Sequence, residues 1–143
     1  MSWVEIIGWS ATAVGALLGF PQLFRLLRTR NVAGLSLLAW QAVLVLNVIW
    51  FTHGVRIGQG PQIVTNSVAL ASTLPLLVLL ARATRRSLFA VVAPSLVAAA
   101  VIIAVDFTLG SLAFGLVATI PGLMSSSGQS VELVRARRVD GVA

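Results

Sequence analysis

Leu18-Gly19-Phe20-Pro21-Gln22-Leu23-Phe24-Arg25, continued by Arg28-Thr29-Arg30-Asn31-Val32-Ala33-Gly34-Leu35-Ser36, decides how this chain is to be read. A long apolar run reaches a proline and a glutamine, then three arginines within six residues, then a glycine. Proline removes a backbone donor and strains the turn before it. In lipid, a freed carbonyl is tolerated only where protein or water satisfies it. The stretch therefore predicts a helix that crosses a bilayer, kinks near its inner end at a Pro21–Gln22 hinge, and stops in a basic loop. A kinked structural helix would look the same, unless the pattern recurs.

It does recur. At an offset of 107 residues, Gln22 meets Gln129, Leu26 meets Leu133, Arg28 meets Arg135 and Arg30 meets Arg137. Val32 meets Val139 and Gly34 meets Gly141, while upstream Ala11, Thr12 and Gly15 meet Ala118, Thr119 and Gly122. Basic inner helix ends are common, but nine identities at one offset make chance a poor account. Pro21 is replaced by Gly128, so the second copy is expected to hinge at Gly128 and Gln129. Internal repeats in membrane proteins point to transporters with a site at the repeat interface.

Composition agrees. Of 143 residues 58% are apolar and 10% charged, and the mean hydropathy is +0.99. These values predict an all-α integral membrane protein. The net charge of +6 does not point to nucleic acid, because the arginines sit at the ends of apolar runs. There is no cysteine and a single histidine, so no thiol chemistry, metal site or cofactor is expected.

Five spans are expected, each near the length of about 20 residues that a bilayer requires. They run from about 3 to 27, 37 to 57, 61 to 81, 88 to 108 and 111 to 133. Gly15-x-x-x-Gly19 in the first permits a close helix neighbour; Pro61 opens the third as a first-turn residue. Arg25, Arg28 and Arg30 follow span one, Arg82, Arg85 and Arg86 follow span three, and Arg135, Arg137 and Arg138 follow span five. Arg56 alone lies on the other side. The positive-inside rule then puts the N-terminus outside and the C-terminus in the cytoplasm. Glu5 and Asp106 fall near the outer face.

Polar groups within spans are costly and usually face a bundle interior. Here they are Gln41, Asn47, Asn66, Ser67, Ser72 and Thr73. Trp50 lies eight residues before Gly58 and Asn66 eight after, so each sits about 12 Å below that turn. An indole and a carboxamide at one depth suit a neutral hydroxylated ligand, and Asn47 shares the face of Trp50. The competing readings are an interhelical hydrogen bond for Asn66 and an interfacial belt for tryptophan, as expected of Trp3, Trp9 and Trp40. His53 and Arg56, at the outer end of span two, form either a gate or a solvated rim; histidine can change charge near neutral pH. Pro61-Gln62 is expected to serve as a helix start only.

These motifs resemble the PQ-loop superfamily, and within it the SWEET and SemiSWEET sugar transporters. Pro21-Gln22, Val32-x-Gly34-Leu35-Ser36 and Trp50-x-x-His53-Gly54 carry the resemblance, with histidine where the family has tyrosine. The Trp50-to-Asn66 separation is similar to that of the family's sugar-binding pair. The resemblance implies a three-helix bundle in the order one, three, two over residues 1–86. It implies a linker (inversion) helix over 87–109 and the first helix of an incomplete second repeat over 110–143. Against the family pattern the sequence is expected to be a shortened piece of a seven-span protein, the alternative being a five-span variant that assembles differently, and a complete path needs a second bundle from another chain.

The implied function is passive, alternating-access passage of a small neutral sugar across the cell membrane, with no covalent chemistry and no cofactor. Trp50 would stack the sugar, Asn66 would hydrogen-bond it, Asn47 would line the cavity, and His53 and Arg56 would close the outer side. Two other functions occur on the same fold. One is a proton-coupled amino-acid carrier, which would need a carboxylate in mid-membrane, absent from spans two and three. The other is a non-transporting receptor or assembly factor.

Overall fold

The computed structural model describes residues 3–32 and 34–135, without the side chains of residues 4, 16–19, 22, 129, 132, 133 and 135. The expected hinge side chains Gln22 and Gln129 therefore lie outside the described residues, as do Arg137, Arg138, Val139 and Gly141 of the second repeat.

The described chain is helical almost throughout. α1 is Trp3–Thr29 and continues through Pro21 to the arginine-rich end. α2, Leu37–Ile57, starts where Ser36 turns its hydroxyl back to accept the Ala39 amide at 3.3 Å. It stops at Gly58, which takes the left-handed conformation (φ 70°) that side chains disfavour. α3, Gly60–Ala83, has proline in its first turn, where no helical donor is lost. The last segment, Leu88–Arg135, is capped by the Ser87 hydroxyl at the Ala90 amide and interrupted at Gly110, with φ 83° and ψ 176°. That combination belongs almost only to glycine. It divides the segment into α4 (88–109) and α5 (111–135), making five helices among the described residues. Pro94 and Pro121 would lie about 40 Å apart on one straight helix. Here they line the same groove, so the chain doubles back at Gly110.

α3 packs against both α1 and α2, and α2 is covered on its other side by α4 and α5. Leu23 and Leu26 of α1 meet Leu76 and Leu80 of α3. Leu44 of α2 meets Leu77 and Ala81 of α3 together with Val91 of α4. Val45 and Ile49 of α2 fill the angle between Ala99 and Ile102 of α4 and Phe114 and Ala118 of α5. The helix expected to open a second unit thus packs onto the first. Trp40, expected at the membrane interface, packs half-buried between two of these clusters. Its indole nitrogen is buried and has no hydrogen-bond partner among the described residues. Outward faces are apolar, with Phe24, Phe89 and Leu112 all more than 70% exposed.

By length and composition, three helical stretches among the described residues can cross a membrane: Leu37–Ile57, Gly60–Ala83 and Leu88–Gly128, the last containing the reversal. These observations suggest a membrane protein.

Candidate functional site

α2 distributes its polar side chains around its axis. At about 100° per residue, each step of three residues turns the side chain back by about 60°. Asn47 therefore faces α3, while Trp50, His53 and Arg56 turn progressively toward α4 and α5. Asn47 is buried and donates to the Thr73 hydroxyl at 3.0 Å. Trp50 sets its indole edge-on to Phe114 of α5, with ring centroids 5.0 Å apart, and edge-on to His53 at 5.7 Å. His53 in turn stacks on Phe114 at 4.4 Å.

The strongest polar cluster lies just beyond. Nδ1 of His53 is 2.8 Å from Oδ2 of Asp106, whose side chain is 2% exposed. Arg56 donates from Nε to Oδ2 at 2.8 Å and from Nη2 to Oδ1 at 2.7 Å. Its Nη2 also reaches the Ser111 hydroxyl at 2.7 Å, and its guanidinium lies 5.9 Å from the Phe107 ring centre. The two-point contact is the strongest form an Arg–carboxylate pair takes. A carboxylate engaged in this way only accepts, so Nδ1 of His53 carries the proton. Asp106 thus ties α2 to α4, and Arg56 reaches past Gly110 to Ser111 of α5.

His53 and Arg56 were expected together at the outer end, and the structure brings them together. Asp106 was expected near the outer face but not as their partner. The signal was available. Asp106 precedes Gly110 by four residues, while His53 and Arg56 precede Gly58 by five and two, so all three lie at one depth.

Asn66 stands in different surroundings from the Trp50 indole. Its carboxamide donates to the Gln62 carbonyl at 2.8 Å. It lines a groove of about 290 Å³ between α1 and α3 with Thr12, Gln59, Gln62 and Thr65. The hydroxyls of Thr12 and Thr65 are 2.7 Å apart and share the Pro61 carbonyl, at 3.1 and 2.8 Å. Gln62 joins the two expected site residues, since its Nε2 donates to the Trp50 carbonyl at 2.9 Å. Its place is therefore more than the helix start expected of Pro61-Gln62.

The remaining span polar groups are held locally or between helices. Gln41 donates to the Val91 carbonyl at 2.7 Å, one turn from Pro94. Ser67 and Ser72 bond to carbonyls of their own helix. Pro21 is exposed within α1. Gly128 lies inside α5 with no break in the helical backbone. A Cβ there would come 3.1 Å from that of Ala39, so the glycine lets α5 approach α2 closely. Among the described residues no three His, Cys, Asp or Glu side chains are grouped to hold a metal.

Comparison with protein-family models, with curated proteins and with solved structures returned no match to this chain.

Proposed function

We propose that this chain is a multi-pass membrane transporter that passes small neutral hydroxylated solutes, sugars above all, by alternating access. The observation that carries the reading is the groove between α1 and α3. Thr12, Gln59, Gln62, Thr65 and Asn66 give it hydrogen-bonding groups without a charge. Such a lining exchanges bonds with solute hydroxyls and offers no fixed charge to an ion. The neighbour order α1–α3–α2 supports the reading, as does the resemblance of Pro21-Gln22, Trp50-x-x-His53-Gly54 and Asn66 to the SWEET pattern.

On this proposal Asn66 and Gln62 meet the solute. Trp50 holds Gln62 through its carbonyl, and its indole is presented when the cluster around Phe114 rearranges. The Asp106 cluster latches the outer end, and Pro21 permits bending at the inner end. The chain inserts in the cell membrane with its N-terminus outside, and a second copy supplies the facing half of the path.

Counterflow of labelled glucose into proteoliposomes tests it. The parent chain takes up label; Asn66→Ala abolishes uptake and Trp50→Ala impairs it. Uptake that survives both changes overturns the site. A second reading, proton-coupled passage, is favoured by one observation: Asp106, a buried carboxylate on α4, is turned onto α2 beside His53. Uptake that follows an imposed pH gradient, and loses that dependence in Asp106→Asn, would select it.

A further inference from the structure

The inner ends of α1 and α3 carry charge with no described counter-charge. Arg30 follows α1 and Arg82 lies in the last turn of α3. Both line a cavity of about 370 Å³ whose other walls include Leu27, Val32 and Leu79. Neither guanidinium has an ion-pair partner among the described residues. The described acids, Glu5 and Asp106, stand toward the opposite end of the helices. Arg30 is held in place by the backbone, its amide bonding the Leu26 carbonyl at 2.8 Å in a left-handed turn (φ 51°). Two arginines, one just past α1 and one in the last turn of α3, thus border one space with apolar sides.

We infer that this cavity is a site for the headgroup of an anionic phospholipid. The phosphate receives donors from Arg30 and Arg82, and the first acyl carbons lie along Leu27 and Leu79. Guanidinium forks bind phosphate oxygens in pairs. Basic pockets between helices at the cytoplasmic face are suited to such headgroups. The apolar walls select a lipid over free phosphate, which would leave Leu27, Val32 and Leu79 against water. Among the described residues the backbone of α1 closely approaches that of α3 and of no other helix, so a bridging headgroup fastens the inner end of α1 to its one close neighbour. The inference does not depend on transport.

Thermal unfolding of the full chain in neutral detergent tests it, with native mass spectrometry to count retained lipid. Added dioleoyl phosphatidylglycerol should raise the Tm and leave one lipid bound, while phosphatidylcholine and inorganic phosphate do neither. Arg30→Gln and Arg82→Gln should each weaken the apparent affinity about tenfold, the size of one lost charge-assisted hydrogen bond. Their lipid-free Tm should match the parent. Arg28→Gln, which lies against a different cavity lined by Phe20 and Phe24, should leave lipid binding unchanged. Equal weakening by Arg28→Gln would mean diffuse surface attraction and overturn the site. An equal shift with phosphatidylcholine or with inorganic phosphate would overturn the lipid assignment.

Discussion

Asp106 is the side chain on which most depends. It accepts from His53 and Arg56 of α2 and is itself almost wholly buried. Removing one member of a buried ion pair strands the other, which costs far more than the pair contributes. Asp106→Ala is therefore expected to lower stability by about 3 kcal/mol, the lower end of that range, because Arg56 can still reach water. Thermal unfolding in detergent measures this, and adding Arg56→Met should recover part of the loss. A Tm unchanged in Asp106→Ala would mean the latch bears no load. Asn47 makes a smaller contribution, a single bond to Thr73. Such interhelical bonds in membrane proteins average about 0.6 kcal/mol, since the unfolded chain in lipid also finds partners. A double-mutant cycle of Asn47→Ala with Thr73→Ala should return a coupling of about that size. A coupling of zero would free Asn47 for the solute-lining part implied by the family resemblance.

Among the elements, the α4–α5 corner rests on one residue. Gly110 combines positive φ with extended ψ, and no neighbouring atom lies within 4 Å of where a Cβ would stand. Strain rather than crowding therefore sets the cost of a side chain there. Gly110→Ala is expected to destabilise by about 1–3 kcal/mol. It should also displace Ser111 from Arg56, so Gly110→Ala and Ser111→Ala should be non-additive in unfolding measurements. Additive effects would show that the corner and the ion cluster are independent. Pro94 and Pro121 were legible as proline-bearing spans, but their meeting across one groove was not. That contact depends on the reversal angle, which no local propensity encodes.

At the scale of the whole molecule, the proposed orientation rests on charge placement. Nine of the ten arginines fall at or just past the C-terminal ends of the expected spans one, three and five. The chain has no cysteine, so single introduced thiols report without background. In intact cells a membrane-impermeant maleimide should label Gln59→Cys in the α2–α3 turn. It should reach Thr84→Cys in the α3–α4 turn only after permeabilisation. The reverse pattern would invert the proposed orientation and move the Asp106 cluster to the inner face.

Helix number and helix ends were legible in the residues, because hydropathy, proline, glycine and capping serine act within a few positions of themselves. The spans expected over 37–57 and 88–108 match α2, Leu37–Ile57, and α4 within a residue. The depth of Trp50 and Asn66 could be counted from the turn at Gly58. Which way each side chain turned could not. The step of about 60° between successive third residues on α2 carries Asn47 to α3 and Trp50 to α5, but only the packed bundle says which helix stands at each angle. The same holds for Asp106, 53 residues from His53 and 50 from Arg56. Its charge and depth were written in the sequence. Its partnership was decided by tertiary packing, because an ion pair is chosen by distance in space and α4 reaches α2 only once the chain has folded back.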